Sequence, residues 1–146
     1  MGDFSKNKSH RVQLSRYLRG EDIVLRGVSA LKYMELYVED HFAFDVQKEQ
    51  IFVYGKATSS IPNLVVEKVT HFDEIDYSED WGIPCTTLNQ VVHDMLENPQ
   101  LMNQDALIES LANHYENEGH FNNIHILDAD VATWEALKNS ALAFYD

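Results

Sequence analysis

A single cysteine, Cys85, stands in the chain. That excludes an internal disulfide framework and a zinc–thiolate cage, and it fits a reducing cytoplasm. No basic residue precedes Cys85 closely enough in sequence to lower its pKa, so it reads as a small packed hydrophobe rather than a nucleophile. Apolar runs stay far short of the ~20 residues that span a bilayer, and the polar, basic N-terminus has no hydrophobic stretch behind it, so neither a membrane span nor a secretory leader is expected. The six glycines form neither G-x-S-x-G nor G-x-x-x-x-G-K, and H-E-x-x-H is absent. The patterns of a serine nucleophile elbow, a P-loop and a zinc helix are therefore all missing.

Basic residues are scarce too: 11 Lys and Arg against 24 Asp and Glu, a net charge of −13. The few there are crowd one end. Residues 1–20 carry Lys6, Lys8, Arg11, Arg16 and Arg19 against Asp3, a net +4, and the remainder has 6 basic and 23 acidic residues, a net −17. An anionic body repels nucleic acid, so tight DNA binding by it is not expected. The basic arm is a candidate for touching nucleic acid or an acidic partner. The plainer reading is a leader, helical over residues 12–18, that docks on the acidic body.

What is present is ordinary globular composition, 45% hydrophobic and 11% aromatic over 146 residues. That is enough chain for one domain with a real core. We read residues 1–20 as a basic arm and 21–146 as a single α+β domain, a small and mainly antiparallel sheet packed with helices and a helical C-terminal half. The clearest element follows Cys85. Leu88, Val91, Val92, Met95 and Leu96 fall on one helical face, Thr87 and Gln90 have capping-box spacing, and Asn98-Pro99 ends the helix. Leu14, Tyr17 and Leu18 mark a first helix ending at Gly20, and residues 23–25 form a short apolar strand. Ser29 is expected to cap a helix reaching about Tyr37. Residues 50–56 and 64–72 flank Ser59-Ser60-Ile61-Pro62-Asn63 and read as a hairpin with a loose loop. A further strand is expected within 74–77 or 83–85. Residues 105–117 form a helix with Leu107 or Ile108, Leu111 and Tyr115 on one face, stopping near Gly119. Asp128 or Asp130 caps a last helix whose face runs Val131, Trp134, Leu137, Ala141 and Phe144.

The seven histidines are His10, His41, His71, His93, His114, His120 and His125. His114, Glu116, Glu118 and His120 cluster near a helix end. They read as a solvated terminus, with the histidines placed near its negative pole, rather than as metal ligands. Asp73, Glu74 and Asp76 follow His71 but lack the spacing and glycine of a calcium loop, so they read as a solvated rim. No catalytic residue, cofactor site or metal site is nominated.

Two segments carry a resemblance. Val24-Leu25-Arg26-Gly27-Val28-Ser29-Ala30-Leu31 resembles the strand-to-helix signature of the AbiEi-type antitoxin family, in which a short apolar strand leads into a Ser-Ala-Leu helix start. Gly82-Ile83-Pro84-Cys85-Thr86-Thr87, with Asp94 seven residues after Thr87, is similar to that family's second signature, a glycine-led strand entering a helix of the form Thr-x-x-Arg-Thr-x-x-Asp. The order and spacing of the following helices also agree, so the resemblance covers about residues 20–125. The sequence departs from the pattern in places. The family's histidine before Ser-Ala-Leu is absent, Gln90 stands where the second signature has arginine, and Val91 stands where it has threonine. An Arg–Asp pair at i, i+4 would make a salt bridge, whereas Gln90–Asp94 makes a hydrogen bond.

The resemblance implies an antitoxin-like domain, of the type IV toxin–antitoxin or abortive-infection kind, that opposes a nucleotidyltransferase-type toxin. It places weak interaction roles on Arg26, Ser29, Gln90 and Asp94. About 20 residues before the first signature cannot hold the family's N-terminal winged helix-turn-helix, so its DNA-binding autorepressor role is not expected. The expected partner is such a toxin or another basic protein, in a bacterial cytoplasm and phage-defence setting, without catalysis. The alternatives are an enzyme using the His- and carboxylate-rich C-terminal half, or a structural subunit of a larger complex. Asp94 is expected to face away from the apolar stripe formed by its neighbours. Buried against a basic residue such as Arg26, it would instead tie the two signatures together.

Overall fold

The computed structural model describes residues 9–38 and 44–146. Lys6, Lys8 and His41 lie outside the described residues. Ser9 caps the first helix, α1 (His10–Tyr17), its hydroxyl accepting from Val12 N at 3.3 Å. The helix begins two residues earlier than the apolar spacing indicated. Leu14 and Leu18 are buried in the main core, so this stretch docks as an integral part of it.

Strand β1 (Ile23–Leu25) is buried at all three positions, which explains its unbroken apolar sequence. Helix α2 (Gly27–Tyr33) follows directly, with six of its seven residues buried. It ends four residues short of Tyr37. Glu35 takes a left-handed φ of 62°, Leu36 N donates to Leu31 O at 3.0 Å, and Glu35 N donates to Lys32 O at 3.1 Å. That is a Schellman stop made without glycine. Ser29 is not the cap. Arg26 occupies that position, and the Ser29 hydroxyl accepts from Phe52 N at 2.9 Å, fastening α2 to the next strand.

The strands β2 (Ile51–Gly55), β3 (Leu64–Lys68), β4 (Tyr77–Ser78) and β5 (Cys85–Thr86) complete a five-stranded sheet in the order β3-β2-β1-β5-β4. Pairings β1–β2 and β4–β5 are antiparallel, and β1–β5 and β2–β3 are parallel. The hairpin expected at residues 50–72 is therefore not formed, because β3 returns to the start of β2 and runs beside it. The connection, residues 56–63, has the length to do so: about 26 Å of extended reach against about 17 Å of strand. Asn63 secures the return. Its amide donates to Val46 O and Glu49 O, each at 2.7 Å, and its oxygen accepts from the Tyr17 hydroxyl at 2.6 Å.

Helices α3 (Leu88–Glu97), α4 (Gln104–Glu118) and α5 (Val131–Leu142) form the C-terminal half, giving an α+β fold. Thr87 caps α3 as its sequence indicates, accepting from Gln90 N at 3.3 Å. The reciprocal half of the capping box is not made, since Gln90 Oε1 accepts from Asp76 N instead. Asn103 caps α4, which begins one residue before the expected 105, and Gly119 closes it with φ 77°. Tyr115 is exposed on α4, whose buried side is Ala106, Leu107, Ser110, Leu111 and Ala112. On α5, Trp134, Leu137 and Ala141 face inward against α4 while Val131 is exposed, and Phe144, expected on the same face, lies two residues past the helix end and is exposed as well. The central layer is α2, which touches α1, α3, α4, β2 and β5.

Candidate functional site

The β1–α2 junction sets one half of the site. Leu25 N donates to Pro84 O at 3.0 Å and Arg26 N to Phe52 O at 2.9 Å, so the strand is held on both sides to its last residue. Gly27 then turns the chain at φ +59°, a left-handed conformation that L side chains resist. This turn sends the Arg26 side chain inward across β2, where its guanidinium carbon lies 4.4 Å from the Tyr54 ring centroid.

Helix α3 supplies the other half. Gln90 Nε2 donates to Asp94 Oδ1 at 2.9 Å, the i, i+4 bond expected from sequence. Asn98 Nδ2 donates to the Asp94 carbonyl at 2.9 Å. The second carboxylate oxygen, Oδ2, faces Arg26 Nε at 3.9 Å. Neither of these two atoms has a hydrogen-bond partner among the described residues, so the contact is an ion pair without a hydrogen bond. Asp94 is 5% exposed and Arg26 8% exposed.

The expectation that Asp94 faces away from the core is thus overturned. Successive helical residues advance about 100°, so Asp94 stands about 60° from Val91, at the rim of the apolar stripe. Arg26, delivered by the β1–α2 turn, extends the buried arc of α3 to include that rim. Tyr54 completes the cluster and was invisible in sequence, being one of two aromatic residues, with Phe52, in a strand of otherwise apolar ones. Burial pushes its phenol pKa well up, the neighbouring Asp94 carboxylate pushes it further, and Arg26 partly offsets both. The arrangement is a desolvated, charge-compensated tie between two distant segments, and Ser29 adds a second tie from the same turn to β2.

The remaining sequence candidates are placed as follows. Arg11 is drawn onto the body: its Nε donates to Tyr33 O at 2.8 Å, its guanidinium carbon lies 4.2 Å from the Trp81 ring centroid, and Glu35 is 3.8 Å away. Arg16 and Arg19 remain exposed. Cys85 is buried, its thiol pushed up to about 12 by desolvation, with the Arg11 charge acting weakly the other way. His114 stacks on Phe121 with centroids 6.1 Å apart and meets His120 edge-on at 6.4 Å. Burial lowers its pKa, while Glu118 pulls it back up. Glu116, Glu118, Asp73, Glu74 and Asp76 are all exposed. Among the described residues no three His, Cys, Asp or Glu side chains gather to hold a metal, and no helix is long and apolar enough to cross a membrane. A cleft of about 190 Å³ lined by His10, Lys32, Glu35, Tyr37 and Val38 lies apart from the four signature residues.

Sequence reasoning also missed Tyr33. Fully buried, it donates its hydroxyl to Trp81 O at 2.7 Å and accepts from Ile83 N at 3.1 Å, which anchors the loop before β5. Its place within the helix expected from Ser29 to about Tyr37 follows from sequence, but its distant partners carry no local signal. No family model, no curated protein and no solved structure matches the chain.

Proposed function

We propose that this chain is a non-catalytic, antitoxin-like domain of a bacterial toxin–antitoxin or phage-defence system, opposing a nucleotidyltransferase-type toxin in the cytoplasm by binding a partner or an intermediary. The observation that carries the reading is the Arg26–Asp94 contact. The two stretches on which the resemblance rests, far apart in sequence, each give one residue to the same buried ion pair. Arg26, Ser29, Gln90 and Asp94 all make contacts within the fold, an arrangement suited to holding a shape.

Charge supports the same reading. A net −17 outside the first 20 residues suits a basic, nucleotide-binding surface, where complementarity raises association rate and selectivity. The same charge disfavours DNA, so any DNA binding is expected to be weak, non-specific and steeply reduced by salt. The test is co-expression with a nucleotidyltransferase-type gene encoded beside this one. Restored host growth is the expected result; continued growth arrest with folded protein present would sink the proposal.

A further inference from the structure

Eleven large hydrophobic side chains are exposed among the described residues, and five of them, Leu127, Val131, Leu142, Phe144 and Tyr145, fall between positions 127 and 145. Such a concentration marks a contact surface where scattered single residues would not. Helix α5 packs on α4 through Trp134, Leu137 and Ala141, and its other side is bare. On that side Val131, Glu135, Lys138 and Leu142 lie within about 60° of one another around the helix axis. Val131 and Leu142 are 43% and 44% exposed. Lys138 Nζ donates to Glu135 Oε1 at 2.9 Å, so the strip has no net charge in a chain of net −13.

We propose that α5 is the interface of a two-fold homodimer of this chain. The strip complements itself. Val131 and Leu142 stand at its ends, Glu135 and Lys138 lie between them, and both pairs are centred on one point between Ala136 and Leu137. Two such helices laid antiparallel across a two-fold axis at that point set Val131 of one copy on Leu142 of the other, and Glu135 on Lys138. The exposed neighbours Ala132 and Ala136 are small, so the two helix axes can approach closely. The same arrangement brings Phe144 and Tyr145, just past the end of one α5, toward Leu127, just before the start of the other. Two acidic bodies repel each other, and α5 lets them meet without setting like charge on like charge. A partner of different sequence has no need of a strip that complements itself, which singles out a second copy. The inference goes beyond the antitoxin reading and stands whether or not that reading holds.

The test is sedimentation equilibrium of the full chain from about 5 to 500 µM, at about 0.05 and 0.5 M salt. The mass should rise with concentration from 16.8 kDa toward twice that. Association should tighten with salt, because screening relieves the repulsion between the acidic bodies. Leu142→Glu sets a carboxylate against Val131 of the second copy and should weaken association about tenfold or more. Val12→Glu, at an exposed valine on α1, should weaken it less than about threefold. Glu135→Lys lowers the net negative charge, yet it should weaken association about threefold or more by opposing like charges across the axis. Adding Lys138→Glu to it should restore the wild-type value. Circular dichroism checks that each variant is folded. Equal losses from Leu142→Glu and Val12→Glu would overturn the proposal, as would tighter association of Glu135→Lys. A folded wild type that stays monomeric throughout would also overturn it and leave the strip to a partner of different sequence.

Discussion

Arg26 and Asp94 meet inside the protein at 3.9 Å, one from the turn after β1 and the other from the rim of α3. Each is charged, each is buried, and removing one strands the other. Asp94→Ala should therefore destabilise the fold by about 3–5 kcal/mol, and Arg26→Ala by a similar amount. Replacing both together, Arg26→Ala with Asp94→Ala, should cost much less than the sum, since neither charge is then left stranded. Urea unfolding of the four proteins gives the coupling. A single Asp94→Ala change that left the midpoint unmoved would show that the ion pair contributes nothing.

Leu14 and Leu18 make α1 and the residue that follows it part of the core. Leu14→Ala is expected to cost about 2–5 kcal/mol, the range for emptying a buried leucine site. Arg19→Ala, at an exposed position of the same basic segment, should change stability by less than about 0.5 kcal/mol. Equal effects at the two sites would argue that α1 is only loosely held.

How much of this was legible follows from which interactions are local. α3 was legible because Thr87, its apolar stripe and Asn98-Pro99 all act within one helix. The end of α4 was legible because Gly119 supplies a left-handed stop. The direction of β3 was not, since Val-rich segments favour strands without choosing a partner's orientation. That choice is made by Asn63, through bonds to Tyr17, Val46 and Glu49 that no local pattern announces. The early end of α2 was hidden because Glu35 adopts a conformation usually left to glycine. In the candidate site, the Gln90–Asp94 bond could be read from i, i+4 spacing. The burial of Asp94 could not be, because it depends on Arg26 arriving from another element.

Gly27 is where backbone conformation and packing coincide. A Cβ there would lie 2.9 Å from Leu101 Cδ1 and would sit at φ +59°. Gly27→Ala should cost about 1–2 kcal/mol from the left-handed conformation, plus the displacement of Leu101. Gly119→Ala carries the conformational penalty alone, since nothing lies within 4 Å of its Cβ position. Denaturation midpoints should rank Gly27→Ala below Gly119→Ala, and the reverse order would contradict this account of the turn.

His114 makes stability depend on acidity. Burial lowers its pKa in the folded state below the ordinary 6.5, so the unfolded chain binds more protons there. Its contribution is fully present above pH 6.5 and is lost as the pH falls from there through the folded-state value. In His114→Phe this part of the slope between pH 7 and pH 5 should vanish, as read from thermal midpoints across that window. An unchanged slope would assign the pH dependence to other groups.

Trp134→Ala should remove the edge-on contact with Phe121, now at 5.7 Å between centroids, and cost about 3–5 kcal/mol. A loss of that size consumes much of a domain's stability, so the variant should fail to protect a host even if the antitoxin reading holds.

Host growth rate during co-expression with a nucleotidyltransferase-type toxin of the kind the proposal requires beside this gene tests the central claim most directly. The account predicts that wild type restores growth and that single substitutions of His71, His93, His120 and His125 each leave the rescue intact, since none is assigned a catalytic role. No restoration by wild-type protein present in folded form, or loss of rescue from one surface histidine with folding unchanged, would contradict it.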